Sequence, residues 1–374
     1  MKRSMFLAFV LVLASAVSCF AIGAGIGVRA MGMGGTGIAT ANDITAAYFN
    51  PAGLMYGPEN FECQLMGGGA TQGLSDVTQI MSDMSNSDNL INNLLPKEFN
   101  VDASLNGGLG VSVRKVGLSA LVTGNTNFSK KADQLDMNIN GQVRASVPLT
   151  LGSVISTPGL PIASLAVGVN LKSLYDVGFL TTLVSSGGTA TGSNSYSVGT
   201  GFGFDIGAQA KITPLISVGG VIRNLSASES VTIKSNTLTA TLDAGGNAIV
   251  VETPQPDKKT TYSPAPEIGV GVGVVVPITG TLIAVDLENY SFPENNNQNK
   301  SASYTDTHIG LEQGVLFNLV MLRAGYYTYT PTEDTFYTYG IGFNLGPVNL
   351  GAAAANSVKD SADSVGEVQL GASF

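Results

Sequence analysis

Reaction chemistry in this chain would have to begin at His308, its only histidine. A nucleophilic hydrolase needs a hydroxyl or thiol within hydrogen-bond reach of a base. His308 shares one alternating face with Gly310 and Glu312, against Thr307, Ile309 and Leu311 on the other. A serine partner would fall on the apolar side, so His308 reads as a polar side chain turned inward. A structural zinc site takes about four Cys or His ligands. The chain has two cysteines, Cys19 and Cys63, and Cys19 falls in the leader described below. One thiol remains, which forms neither an intramolecular disulfide nor a cysteine metal site. The expectation is a protein with no catalytic residue, no metal and no cofactor.

The other candidates are charges on the same kind of polar face: Arg144, Lys172, Asp205, Lys211, Asp286, Glu288, Glu312, Arg323 and Glu367. Two readings stand side by side, a salt-bridge network that holds an interior segment and a polar conduit. Gly32, Gly34 and Gly37 spell G-x-G-x-x-G. A dinucleotide fingerprint needs a strand before it, a helix after it and an acidic residue ~20 positions on. That context is missing, and the glycines instead fit a backbone packed into a confined space.

These residues need elements to position them, and composition narrows which. Of 374 residues only 12% are charged and 47 are glycine, with a mean hydropathy of +0.24. That is too apolar for an ordinary soluble domain. Net charge is −9, and no basic run follows the first residues, which excludes a nucleic-acid binder; the acidity reads as solvated loops. Lys2 and Arg3 precede an apolar run of roughly 13 residues, short of the ~20 of a spanning helix. It ends in small residues with a cleavage site after Ala21, a secretory signal peptide over 1–21. Lipoprotein processing at Cys19 is the rival, weakened because Ala16-Val17-Ser18 lacks the usual leucine.

The rest of the chain alternates with period two, as strands do. Tyr196, Val198, Phe202, Phe204, Ile206 and Ala208 face one way, and Gly201, Gly203, Asp205, Gly207 and Gln209 the other. Similar runs start at Leu135, Leu165, Ile283 and Tyr337. Such strands suit a tilted bilayer crossing of ~9–11 residues, and in hydrocarbon a sheet satisfies its backbone only by closing on itself. Residues 268–285 carry no charge; their alternation and the break at Pro277 predict two strands and a turn rather than a transmembrane helix.

Strands are predicted to start near Glu59, Phe99, Val116, Asp133, Ile162, Tyr196, Leu215, Glu267, Thr281, Ser303, Leu319, Thr335, Val348 and Val365, about fourteen in an antiparallel transmembrane β-barrel. Tight turns fall at Arg114 and Lys115, Thr213 and Pro214, 277–280, Phe317 and Asn318, and Gly346 and Pro347. Long polar loops are expected over 71–98, 179–195, 226–266 and 293–302, with shorter ones near Ser129, Thr332 and Asp360; the turn over 150–161 is longer than the pattern predicts. The loop at 74–95 has apolar residues at helical spacing. Tyr175, Tyr196, Tyr290, Phe292, Tyr304, Tyr326, Tyr329, Tyr337 and Tyr339 are expected to form an outer aromatic girdle, with a weaker inner one at Phe317, Phe343 and Phe374.

Residues 22–57 are small, Gly-rich and not alternating, and read as a plug ahead of a barrel over 58–374. The run Arg29-Ala30-Met31-Gly32-Met33-Gly34-Gly35, then Asn42-Asp43, then Tyr48-Phe49-Asn50-Pro51-Ala52-Gly53-Leu54 resembles the N-terminal hatch of the FadL/TodX outer-membrane transport superfamily, nearest its PorV-like and TraF-like branches. The resemblance is strong over the hatch and thin over the strands. It implies a fourteen-stranded barrel closed by a hatch, with Asp43, Asn50, Pro51, Ala52, Gly53 and Leu54 as hatch residues. The last strand, ending on Phe374, resembles the C-terminal signal read by the outer-membrane assembly machinery.

Two functions follow as expectations. One is uptake of hydrophobic, long-chain fatty-acid-like molecules across the outer membrane of a diderm bacterium, with membrane lipid as the surroundings. It predicts an apolar pocket beyond the hatch and a break in the wall. The other is a PorV/TraF-like barrel that holds an envelope secretion partner. An open porin is set aside because of the plug.

Overall fold

The computed structural model describes residues 26–72, 98–130, 136–156, 158–159, 162–186, 189–242, 248–294, 297–359 and 364–374. The signal-peptide expectation and the helical reading of 74–95 lie outside them, as does the connection around Asp360.

Among the described residues sixteen strands run in sequence. The first seven are β1 (Phe61–Gln72), β2 (Phe99–Val113), β3 (Val116–Lys130), β4 (Met137–Ile155), β5 (Ser164–Ser186), β6 (Thr189–Thr213) and β7 (Ile216–Leu242). Two short ones follow, β8 (Ala248–Pro254) and β9 (Lys258–Tyr262). The last seven are β10 (Glu267–Val275), β11 (Leu282–Glu294), β12 (Asn297–Val315), β13 (Val320–Tyr329), β14 (Asp334–Leu345), β15 (Val348–Ser357) and β16 (Ser364–Ser373). Within β1–β7 and within β10–β16, neighbours in sequence pair antiparallel; β16 pairs β1, and β7 pairs β10 across β8 and β9. β1–β7 and β10–β16 thus close a ring of fourteen, which removes the open edges a sheet cannot expose to hydrocarbon. Among the described residues β8 and β9 pair only with the outer half of β7.

The period-two sorting of the sequence becomes inside and outside. Along β10, Ile268, Val270, Val272 and Val274 are exposed on the outer wall, and Gly269, Gly271 and Gly273 are buried inside. The charge-free run at 268–285 is therefore two strands joined by a turn. No helix among the described residues is long and apolar enough to cross a membrane.

The turns explain the register. Arg114 and Lys115 both take positive φ (49° and 68°), the geometry of a two-residue hairpin whose twist matches its strands. Leu316, Phe317 and Asn318 do the same between β12 and β13, and Gly280 and Gly346 supply the left-handed position in two further turns. Thr213 Oγ1 accepts from the backbone N–H of Leu215 and Ile216 at the β6–β7 turn.

Three expectations need correction. The polar stretches over 179–195 and 226–266 are largely strand: β5 and β6 continue to Ser186 and Thr189, and β7 runs 27 residues. β12 likewise begins at Asn297 rather than near Ser303. Thr, Ser and Val fill these extensions, and β-branched residues favour strand whether or not one face is apolar. Once clear of the bilayer both faces meet water, so alternation fades while pairing continues. The turn over 150–161 is shorter than predicted, because β4 reaches Ile155. The girdle is also mixed. Tyr175, Tyr196, Tyr337 and Tyr339 are exposed outside, but Tyr290 turns inward and its hydroxyl donates to the buried Asp306 at 2.6 Å. The side chain of Phe292 lies outside the described set.

Candidate functional site

The barrel interior holds the N-terminal segment, and the glycines of the inner wall make room for it. A Cβ on Gly168 would strike the Pro51 backbone, one on Gly219 the Ile38 backbone, and one on Gly325 the backbone of Met33 and Gly34. The segment has little regular structure of its own: a helix of five residues (Val28–Gly32), one of four (Ala46–Phe49) and a 3-10 turn (Pro51–Tyr56). Helices this short do not persist in isolation. Contacts with the wall hold them, and buried apolar residues such as Met31, Ile38, Phe49 and Leu54 fill the space between.

Polar side chains of the wall complete the plug's unpaired backbone. Asp286 Oδ2 accepts from Gly37 N and Ile38 N at 2.7 and 2.8 Å. Thr338 Oγ1 accepts from Gly34 N and donates to Gly32 O. His308 Nδ1 sits 2.7 Å from Gly34 O. Glu367 accepts from Gly27 N, and Gln209 donates to Ala39 O. The last carbonyls of a helix lack partners within it. For the helix Ala46–Phe49 they are met from outside: Asn170 donates to Ala47 O at 2.8 Å, and Arg223 to Tyr48 O at 2.9 Å and Phe49 O at 3.2 Å. Burial raises the Tyr48 phenol to about 12, keeping it neutral.

Within the plug, Asn50 joins three backbone groups through one side chain. Its Oδ1 caps Ala52 N, while its Nδ2 donates to Ile38 O and across to Ala208 O on the wall. Pro51, Ala52, Gly53 and Leu54 follow it in the 3-10 turn, all buried. Asp43 accepts from Thr45 and from Gln64 of β1.

Several of the charges fall into paired groups. Lys172 meets Asp205 at 2.7 Å and Arg144 meets Asp176 at 2.9 Å. Glu312 lies between Arg29 of the plug (2.9 Å) and Arg323 of the wall (2.7 Å). Burial disfavours the Arg29 charge, but the Glu312 carboxylate outweighs it and the pKa ends above its usual value. Glu288 holds Arg223 at 2.9 Å. Lys211 lies at the rim over the Tyr56 ring. Removing one partner of a buried pair leaves an uncompensated charge, a far larger loss than an exposed pair would suffer.

The two sides of the plug differ. Toward the short turns is a cavity of about 290 Å³ lined by Arg29, Asp43, Glu62, Gln64, Arg323 and Gln369. Toward the long hairpins lies an apolar cluster of Val28, Met31, Tyr327, Phe336, Ala353, Ala355 and Val365. There Tyr327 stacks on Phe336 at 4.7 Å and on His308 at 5.8 Å.

On that same outer side the wall is interrupted. β7 pairs with β10 up to Arg223↔Glu267 and resumes with β9 at Glu229↔Tyr262. Residues 224–228 have no ladder partner on that side, and they face the linker 263–266, Ser-Pro-Ala-Pro. Proline has no N–H to offer a ladder. On the other flank β6 and β7 slip register between Phe204 and Ile206. The extra residues bulge at Asn224, whose φ is 54°, and Asp205 Oδ1 accepts its N–H. A shorter break, between Leu118↔Leu149 and Leu121↔Ser146, sits at Pro148.

Arg223, Glu267, Asp176 and the amides Asn170 and Gln209 were not among the charged candidates of the sequence reading. Arg223 falls on the Gly219 and Val221 side of its strand, so alternation alone assigns it to the interior. The same alternation puts Asn170 and Gln209 on the inner face, but nothing local marks a neutral amide as a contact of the plug.

No known family model matches the chain, and no curated protein does. Among solved structures it is similar to the Ralstonia pickettii toluene transporter TbuX, at 13% identity and TM-score 0.63, over 94% of this chain and 99% of that one. It is similar to the monoaromatic hydrocarbon channel CymD at 13% and 0.63, over 95% and 99%. A Pseudomonas aeruginosa FadL homologue matches at 12% and 0.58, over 96% and 99%. The likeness at such identity is one of fold.

Proposed function

We propose that this protein takes up hydrophobic small molecules, of the long-chain fatty-acid kind, across the outer membrane of a diderm bacterium. The carrying observation is the five-residue break between β7 and β10, on the same side of the plug as the apolar cluster. A molecule entering between the long hairpins would have to part the buried apolar, aromatic cluster on the outer side of the plug, would find the straight path filled, and would leave sideways into hydrocarbon. The reading involves no catalysis. Export by the leader and insertion guided by the strand ending at Phe374 complete it. The toluene and monoaromatic hydrocarbon cargoes of TbuX and CymD point the same way.

Titration of purified protein with a fluorescent long-chain fatty acid tests it: saturable binding, displaced by unlabelled fatty acid, is expected. Only linear partitioning into detergent would discard the uptake reading. A second reading, a PorV- or TraF-like scaffold for an envelope partner, has one observation in its favour. β8 stands at the far end of β7 with Ile249, Val250 and Val251 exposed, and such an edge can accept an added strand. Stoichiometric co-purification of one envelope protein, with no fatty-acid binding, would favour it.

A further inference from the structure

The cavity on the short-turn side of the plug contains donors that no described residue takes up. Arg323 on β13 gives its Nε to Glu312 at 2.7 Å. Its side chain is only 9% exposed. Among the described residues its Nη1 and Nη2 have no hydrogen-bond partner, and Arg323 lines the cavity. Gly342 on β14 makes room for the guanidinium: a Cβ there would lie 2.8 Å from Nη1 and 3.1 Å from Nη2. Arg29 is by contrast fully engaged, with Nε and Nη2 on Glu312 and Nη1 on Thr40 O. A guanidinium with its two outer nitrogens open presents the parallel donors that a carboxylate accepts.

The other end of the cavity is acidic. Arg29 Nη1 lies 3.5 Å from Asn42 Oδ1, and the next residue, Asp43, accepts Gln64 Nε2 at 3.1 Å. The same nitrogen donates to Glu62 at 2.8 Å. One polar chain therefore runs around the cavity from Arg323 on β13, through the plug, to Glu62 on β1. Asp43 is half-buried and lines the cavity, while Glu62 is buried. Arg29 and Arg323 are offset by Glu312 and Asp43, so the lining has no surplus positive charge for a plain anion. A plain cation would leave the Arg323 fork empty.

We propose that this cavity is a binding site for a small zwitterion of the α-amino-acid type, with its carboxylate on Arg323 Nη1 and Nη2 and its ammonium toward Asp43. A ligand that is neutral overall but carries both charges meets a partner at each end and disturbs neither the Arg29–Glu312 nor the Arg323–Glu312 pair. At about 290 Å³ the cavity stands at the small end of ligand sites, which run ~300–1,000 Å³, and so suits a molecule of amino-acid size. The site goes beyond the uptake reading and does not depend on it, because it lies across the plug from the apolar cluster.

Binding of tritiated L-alanine to the purified protein in detergent micelles, read by scintillation proximity, tests the site. Saturable binding is expected, displaced by unlabelled L-alanine or glycine. At the same concentration acetate and methylamine, which each satisfy one end, are expected to displace far less. Arg323→Lys keeps a charge beside Glu312 but loses the planar fork, and Asp43→Asn keeps the shape but loses the charge; each is expected to weaken binding about tenfold or more. Should either variant fail to assemble, the comparison of L-alanine with acetate and methylamine on the unaltered protein carries the test. No saturable binding, displacement by acetate or methylamine as strong as by glycine, or unchanged affinity in the assembled variants overturns the proposal. Fatty-acid titration of the same preparation separates the two readings. Amino-acid binding without fatty-acid binding keeps this site and removes uptake, and the reverse keeps uptake and removes the site.

Discussion

Asn50 shows how much one neutral side chain carries in this protein. Its amide joins the 3-10 turn, the loop at Ile38 and the wall at Ala208, and it is wholly buried. Asn50→Ala leaves two carbonyls and an amide without it, at about 1–3 kcal/mol of plug docking. Hydrogen exchange of residues 38–52 is expected to quicken roughly tenfold or more while the barrel strands keep their protection; unchanged exchange would show that the plug is held elsewhere. Gln209 teaches the same lesson from the wall. Alternation puts it on the lumenal face, where a charge is ordinarily tolerated, but it is buried and donates to Ala39 O. Its replacement would disturb the plug, so it is unsuitable as a mild control.

Among the elements, the strands sort outward from inward residues by the medium each face meets. Ala208 is exposed on the outer wall of β6, and Thr123 is exposed on the inner face of β3. Ala208→Arg is expected to cost about 2–4 kcal/mol near the bilayer midplane, and Thr123→Arg less than about 1 kcal/mol. Reversible urea unfolding in lipid vesicles measures both; equal costs would contradict the assigned faces. The same elements show why the outer hairpins were underestimated. A strand in hydrocarbon needs one oily face, whereas a strand in water needs only pairing partners. The extensions of β5, β6 and β7 are ladders of the second kind.

At the level of the whole molecule, the closed ring and its filling are separable. The fourteen-strand ladder closes through β1–β16 and β7–β10 without help from the plug. Phe61 and Phe374 exchange backbone hydrogen bonds at the seam where the chain's end meets its first strand. Deleting residues 26–57 is therefore expected to leave a folded barrel with an open bore. In planar bilayers the intact protein should pass little ionic current and the deletion form should give large, steady openings. A folded deletion form that conducts no better would mean the plug is not the seal. The pairing of Arg29 with Glu312 on β12, of Arg223 on β7 with the plug carbonyls and of Gly27 with Glu367 on β16 spreads the seal's polar contacts over several strands, so no single substitution is expected to release it fully.

By itself the sequence determined the architecture. Alternation, tight turns and chain length specify a closed barrel of fourteen strands, because strand faces sort by solvent and hydrocarbon forbids a free edge; the Gly-rich opening specifies something packed inside. It also placed Asp205, Asp286, Glu288, His308, Glu312 and Arg323 on the inner face, since period two is a local property. Only the tertiary structure decided which of them meet. Asp286 to Gly37, Arg223 to Phe49 and the stop in pairing at Glu267 join residues up to 249 positions apart. Such partners are fixed by ring closure and plug docking, and neither leaves a periodic trace in the chain.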